Sequence, residues 1–390
     1  MKPALSLQVL NVGDGACSVL KAGDETGILD CGSWRSSGEQ EARVLMAALG
    51  RRLKNVSTLI VSHFDADHWR GLQALPRLAR PEVLPDRVSI RYPGLPKLAR
   101  QTVMAYIALK SIDGAVSVRA LDLLDAWRPV AAVTPQPLFA GDVFTLGAES
   151  FMVLWPPRHL PNSWSVAARR TLDELERVAA RLPVLRRALD DAYSHAWPQT
   201  DQIAAAARDN GYDQLHGYLA DLDEAGVAEL NAEVEEDLRA EIDSPQSEEG
   251  RDAGDTHTPL FADDSQDRPD RPQLRKLAER LGILNNHLSL VLATPQGRIL
   301  ALGDLQGWSL NRLAGTLERS QYKVVLAPHH GTVKVPSTFP AAEVCVLQNG
   351  PSHFERRTRH ESTHSGCYPV SIEHFGHWAA CWRRKGARPS

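Results

Sequence analysis

Five cysteines in 390 residues, an odd number without framework spacing, exclude a disulfide-built scaffold. Cys17, Cys31, Cys345, Cys367 and Cys381 are therefore expected as reduced thiols, which favours a cytoplasmic setting. Long apolar runs are missing too: none reaches the ~18 residues that a membrane-spanning helix needs. The first residues also lack a charged segment leading into an apolar stretch and a cleavage site. A soluble protein without a membrane partner is the expectation. No internal repeat is visible. What remains, 43% hydrophobic and 24% charged residues, suits a globular chain of one large domain or two ordinary ones.

Basic residues are scarce in one segment. Between Ser165 and Arg280, 14 Lys and Arg face 27 Asp and Glu, a net of −13. With 44 and 48 in the whole chain, the remainder carries 30 against 21, a net of +9. An acidic segment thus interrupts a basic body, and a basic body is compatible with a polyanionic substrate such as nucleic acid.

Alternating apolar residues predict strands over 5–10, 16–20 and 26–32, the last ending in an Asp-x-Gly turn at Asp30. A helix is expected over 39–53, a strand over 55–62, and a short helix over 72–78 limited by Pro76. Further strands are expected over 88–92, 116–120, 143–146 and 150–157, with a helix over 98–112. From 165 to 242 the pattern is helical, with an apolar stripe of Leu172, Leu175, Val178, Ala179, Leu182 and Leu185. Residues 243–272 are rich in Asp, Glu, Ser, Pro and Gly and read as a disordered linker. Strands resume over 288–293, 298–302, 323–327 and 344–347, with a helix over 310–317. The division expected is a β-rich core of 1–164 and 281–390, a helical insertion over 165–242, and an acidic, largely disordered linker over 243–280. A two-domain α/β arrangement is the alternative.

Four side chains able to bind a divalent cation fall within six residues of the hexapeptide His63-Phe64-Asp65-Ala66-Asp67-His68. Two carboxylates beside two imidazoles suit Zn²⁺, Mn²⁺ or Fe²⁺. Read without a metal, the same stretch is a polar strand-to-helix turn in which Asp67 caps the following helix. Three other strand ends decide between the readings, because Asp30, Asp304 and His329-His330 also stand where a strand stops. A rigid sheet is well suited to holding such groups together.

Leu29-Asp30-Cys31-Gly32, His63-x-Asp65-x-Asp67-His68, Gly303-Asp304 and Pro328-His329-His330-Gly331 together resemble the ordered motifs of the metallo-β-lactamase superfamily. The resemblance is closest to the branch that contains the metallo-hydrolase domain of the DNA-uptake channel protein ComEC. The turn Asn11-Val12-Gly13-Asp14-Gly15 and the stretch from Asn286 to Leu292 are similar to that branch as well. The likeness covers roughly 5–160 and 284–350. It implies an α+β chain folded as a four-layer αββα sandwich, with two divalent ions at one edge. Carried onto these residues, it puts His63 and Asp65 on the first ion and Asp67 and His68 on the second. Asp304 would bridge them, and His329 or His330 would complete the second site. His329 is taken as the ligand and His330 as the catalytic imidazole, with Asp67 and Asp304 sharing the catalytic role. Asp30 and Asn286 are expected to support the ligands from behind.

Two departures bear on the chemistry. The commoner motif has His where Asp65 stands, and the strand that usually supplies another His ends here in Leu154-Trp155-Pro156. Indole cannot ligate, and His159 lies beyond two prolines. The first site is therefore expected to be oxygen-rich, favouring Mn²⁺ or Mg²⁺ over tightly held Zn²⁺. The activity implied is hydrolysis of a phosphodiester, DNA being the favoured substrate. Hydrolysis of a small ester, thioester or lactam is the first alternative, and a binding or regulatory module with a residual metal site the second. Arg356 and Arg357 are candidates for substrate phosphates, and the helical insertion for a protein partner. The group His364, Cys367, His374, His377 and Cys381 is a weaker zinc candidate, since alternation there also suits a plain strand.

Overall fold

The computed structural model describes residues 5–34, 38–112, 122–194, 271–333, 335–350, 368–371 and 378–382. They divide into two compact units. The first comprises 1–94, 122–158 and 286–390, and the second 95–121 and 159–285.

The first unit is built on two seven-stranded sheets. One sheet contains β1 (Leu5–Val9), β2 (Cys17–Ala22), β3 (Glu25–Cys31), β4 (Val56–Ile60), β5 (Arg87–Pro93) and β6 (Ala132–Leu138) in that order, with β14 (Trp378–Trp382) beside β1. The other runs from β7 (Val143–Leu146) through β8 (Glu149–Trp155), β9 (Val291–Ala293), β10 (Ile299–Ala301), β11 (Gln321–Leu326) and β12 (Ala341–Leu347) to β13 (Tyr368–Ser371). Strand alternation explains why the sheets stack. Leu5, Leu7 and Val9 of β1 share one buried core with Phe151 and Val153 of β8, with Leu290 and Leu292, and with Val324 and Leu326. The intervening residues face outward: Val291, Ala293, Leu300 and Val325 pack with Leu310 and Leu313 of helix α8 (Gly307–Ala314). On the first sheet α1 (Glu39–Leu49) and α2 (Ala66–Leu78) pack against β3, and Trp127 of α4 (Asp122–Trp127) donates its indole N–H to Leu72 O at 2.9 Å. Helices outside two stacked sheets make the four-layer αββα sandwich.

The second unit is helical, with α3 (Lys97–Ile112), α5 (Asn162–Ala179), α6 (Pro183–Ser194) and most of α7 (Arg271–Asn286). Trp164 of α5 donates to Leu284 O at 3.1 Å, and Arg280 pairs with Glu174 at 2.9 Å. Of the expected stripe, Leu175, Val178, Ala179 and Leu185 are buried. Among the described residues no helix is long and apolar enough to cross a membrane.

Several boundaries differ from the sequence reading. Helix α7 occupies 271–280, assigned above to the linker, because Leu277, Leu281 and Leu284 recur at helical spacing and are buried. Residues 95–112, counted above with the core, belong to the helical unit. Helix α2 begins at Ala66 rather than 72 and runs through Pro76 to Leu78. Its N-cap is Asp65, not Asp67. Strand β6 was not anticipated because Pro135 and Pro137 argue against a central strand; it lies at a sheet edge, where proline is tolerated. The expected strand over 116–120 and residues 195–270 lie outside the described residues.

The inter-sheet core sets the stability of the first unit. Phe151 is fully buried and stacks on Phe144 with ring centroids 5.3 Å apart. Phe151→Ala is expected to lower unfolding free energy by about 3–5 kcal/mol in urea titrations. A loss below about 1 kcal/mol would mean that the two sheets do not pack through this ring.

Candidate metal centre

Parallel pairing brings the strand ends to one edge. β3 and β4 are parallel, as are β10 and β11, so within each pair the carboxyl ends lie side by side. Leu290 N–H donates to Ser62 O at 2.6 Å, tying the end of β4 to the opposite sheet. Asp30 is the penultimate residue of β3, and the 63–68 loop, Asp304 and the 328–331 turn follow β4, β10 and β11.

The backbone there is unusual. Asp30, His329 and His330 have φ of 54°, 47° and 57°, and among the described residues they alone are non-glycine positions in the left-handed region. Each such position costs about 1 kcal/mol or more, a strain that clusters where a side chain must be aimed. Two glycines allow close approach. A Cβ on Gly32 would lie 2.6 Å from Ala66 O, and Gly303 has φ of 54° with its Cβ position 2.9 Å from Ser289 Cβ.

Two groups of three ligand atoms result. His63, His68 and Asp304 form one, and Asp67, His68 and His330 the other, with all ligand atoms of each group within 4.8 Å of one another. All five residues are buried. His330 Nε2 lies 3.1 Å from Asp67 Oδ2 and 3.5 Å from Asp304 Oδ2. His68 Nε2 lies 3.3 Å from Asp304 Oδ1 and 3.9 Å from Asp67 Oδ2. Yet His63 Nε2, His68 Nε2 and Asp67 Oδ1 are buried without a hydrogen-bond partner. Buried polar atoms are costly to leave unpaired. Although His330 Nε2 and Asp67 Oδ2 are within hydrogen-bond distance, three unpartnered atoms drawn together in this way fit a divalent cation, and imidazole with carboxylate is a donor set such ions accept.

The surrounding hydrogen bonds fix which ring nitrogen faces the centre. Asp30 Oδ2 lies 3.0 Å from His68 Nδ1, while its Oδ1 accepts from Ser62 N–H at 2.7 Å. Gln348 O lies 2.8 Å from His330 Nδ1. A carboxylate and a carbonyl can only accept here, so both Nδ1 atoms carry hydrogen and each neutral ring presents Nε2.

Charge at the centre is strongly perturbed. Burial pushes the His63 pKa down to about 3, helped by neighbouring His68. Burial also opposes charging His68 and His330, but Asp304 with its neighbouring carboxylates outweighs it. The pKa of His68 is raised well above the ordinary histidine value, and that of His330 to about 10. Burial disfavours ionised Asp304 in turn, but His330 and His68 hold its pKa well below the usual carboxylate range. The carboxylates thus favour the protonated forms of His68 and His330.

The residues singled out from sequence fare differently. Asp65 belongs to neither ligand group: its carboxylate accepts from Ala66 N–H at 2.9 Å and caps α2. The group containing His63 therefore has two imidazoles and one carboxylate, less oxygen-rich than expected. The two adjacent histidines exchange places. His330 joins a ligand group, whereas His329 stands at the rim with Nε2 3.8 Å from Asp304 Oδ2 and a side chain 16% exposed. Successive left-handed residues send the two rings in different directions, which spacing alone does not reveal. Asn286 accepts Ser289 N–H through its backbone, and its Oδ1 is buried without a hydrogen-bond partner. Ser289 is the residue behind the site, its Oγ accepting Asp304 N–H at 3.1 Å. Ser62 and Gln348 also escaped the sequence reading, since a serine before a histidine and a backbone carbonyl give no signal. A register shift after Val153 places Trp155 in the outer core, where its indole donates to His287 O at 2.7 Å. His159 is exposed and in neither group. Arg356, Arg357 and the side chains of His364, Cys367, His374, His377 and Cys381 lie outside the described residues.

Residues 10–172 match the family model of the metallo-beta-lactamase superfamily. Solved structures similar to this chain include the metallo-beta-lactamase fold protein YhfI from Bacillus subtilis. It is 12% identical with a TM-score of 0.24, over 38% of this chain and 52% of that one. BJP-1, a subclass B3 metallo-beta-lactamase of Bradyrhizobium japonicum, is 15% identical with a TM-score of 0.26, over 41% and 52%. A metallo-beta-lactamase motif mutant of Cronobacter sakazakii is 19% identical with a TM-score of 0.25, over 39% and 52%. The chain spans about half the length of each. No curated protein matches. The match over residues 10–172 and the αββα sandwich support a metallo-β-lactamase fold.

Because a ligand must give up its proton, metal binding here is expected to release protons. The His330 pKa of about 10 lies above neutrality, so in metal-free protein at pH 7 that ring is protonated and must lose its Nε2 proton to ligate, and the raised His68 pKa acts in the same direction. Apparent affinity should rise from pH 6 to pH 8, by up to about tenfold per unit for each proton displaced. Calorimetry in buffers of different ionisation enthalpy reads this directly, and heats independent of buffer would contradict it. Asp30→Ala should weaken metal binding about 10–100-fold by freeing the His68 ring.

Proposed function

We propose that this metallo-β-lactamase-fold chain is a metal-dependent hydrolase of phosphodiesters, with DNA the favoured substrate. The observation that carries the reading is the pair of ligand groups meeting at His68, one containing Asp304 and the other Asp67 and His330. Adjacent cations suit in-line displacement at phosphorus, because one can serve the attacking oxygen and the other the leaving oxygen. The net +9 outside 165–280 supports a polyanionic substrate over a small neutral one. The mixed imidazole and carboxylate donors make Zn²⁺ or Mn²⁺ the ions of choice.

Bound ions would supply Lewis acidity and a water acidified toward neutrality. The chain's own residues do the rest. Asp30 and Gln348 O hold the His68 and His330 rings, so Nε2 faces the centre without reorganisation. Asp67 and Asp304 supply negative charge that offsets the cations, and either can accept a proton from the attacking water. His329, at the rim beside Asp304, is placed to donate a proton to the departing oxygen. The catalytic imidazole is thus His329, with His330 a ligand.

The test is purified protein with Mn²⁺, Zn²⁺ or Mg²⁺ against linear DNA, RNA, a chromogenic phosphodiester and a β-lactam. Wild type should cleave DNA, and Asp67→Ala and Asp304→Ala should each lose at least about 100-fold, the cost typical of removing one essential charge-stabilising group. Lactam or ester hydrolysis without phosphodiester cleavage would replace this reading with the small-substrate one. Equal cleavage by wild type and both variants would end it.

A further inference from the structure

Ser62 closes β4 and is 1% exposed. Its Oγ lies 3.1 Å from His63 Nδ1 and 3.1 Å from His68 Nδ1, one ring from the first ligand group only and one shared by both. The two rings sit with centroids 4.1 Å apart. A serine hydroxyl offers two acceptor lone pairs and one hydrogen, so two ring N–H groups use its full accepting capacity. For His68 the direction is fixed, since Asp30 also accepts at that Nδ1. For His63, Ser62 is the hydrogen-bond partner at Nδ1. If the hydroxyl donated there, hydrogen would sit on Nε2, the atom that approaches Asp304 Oδ2 at 3.9 Å, and the ring could not ligate through it. If the hydroxyl accepts, His63 presents an Nε2 lone pair.

The hydroxyl's own hydrogen has somewhere to go. Ser62 lines a cavity of about 10 Å³ with Asp30, His68, Gly303, Asp304 and His330. That is close to the least space that admits a water.

We propose that Ser62 is the positioning residue that sets the metal-binding tautomer of His63, accepting from the Nδ1 hydrogens of His63 and His68 at once and thereby linking the two ion positions. It touches neither substrate nor ion; it acts through the rings. The two rings differ in their dependence on it, because His68 retains Asp30 whereas His63 relies on the hydroxyl. Losing the hydroxyl should therefore weaken the ion held by His63 far more than the one held by Asp67 and His330. The inference rests on the metal reading above, and its test separates the two.

Stepwise Zn²⁺ titration of full-length wild type, Ser62→Ala and Ser62→Thr gives the two affinities. Wild type should bind two ions. Ser62→Ala should lose about 10–100-fold at one step and less than about threefold at the other, the range typical when a group behind a ligand is removed. Ser62→Thr, which keeps the hydroxyl, should recover most of the loss. Nitrogen-15 shifts of the histidine rings in Zn²⁺-loaded wild type need no variant, and both His63 and His68 should carry hydrogen on Nδ1. No ion bound by wild type would fail the metal reading. Two ions bound with hydrogen on His63 Nε2, or equal losses at both steps in Ser62→Ala without rescue by Ser62→Thr, would overturn the role of Ser62.

Discussion

The Asp30 carboxylate is the interaction on which the centre depends. One oxygen holds the backbone N–H of Ser62 and the other the Nδ1 of His68, so one side chain fixes both the start and the end of the hexapeptide loop. It does so from a left-handed backbone position that aims it across from β3 to β4. Gly32 then lets the chain pass within contact of the first turn of α2. Charge, backbone strain and close packing are thus concentrated at one strand end.

The rest of the first unit delivers partners to that point. Two parallel strand pairs, one in each sheet, carry their carboxyl ends to the same edge, and Leu290 N–H to Ser62 O fastens the sheets there. A close-packed inter-sheet core keeps the spacing rigid, which buried ligands require because small displacements change coordination strongly. Asp304 and His330, more than 230 residues from the hexapeptide, arrive within a few ångströms of it by this route.

Asp65 and Trp155 are the two positions at which the motifs depart from the commoner pattern, and the structure gives each another task. Asp65 stands at a ligand position of the family pattern, yet a carboxylate immediately before a helix satisfies an otherwise unpaired backbone N–H. Trp155 ends the strand that usually brings a ligand, but a shift in register turns it into the outer core. Neither residue joins the group of His63, His68 and Asp304.

Most strands, and the polar groups that stand at their ends, were legible in the sequence by itself, because alternating apolar residues and turn residues are local signals, while the sandwich was what the motif resemblance implied. The sequence also located Asp30, His63, Asp67, His68, Asp304 and the His329-His330 pair. Only the tertiary structure decided which of the two adjacent histidines enters the centre, since that depends on backbone dihedrals at 329 and 330. It alone revealed Ser62, Ser289 and Gln348 O behind the ligands, because their contacts span strands and are not encoded by spacing. It alone divided the helices into a separate unit with 95–112 and 271–285, segments that meet α5 and α6 through side-chain packing across distant parts of the chain.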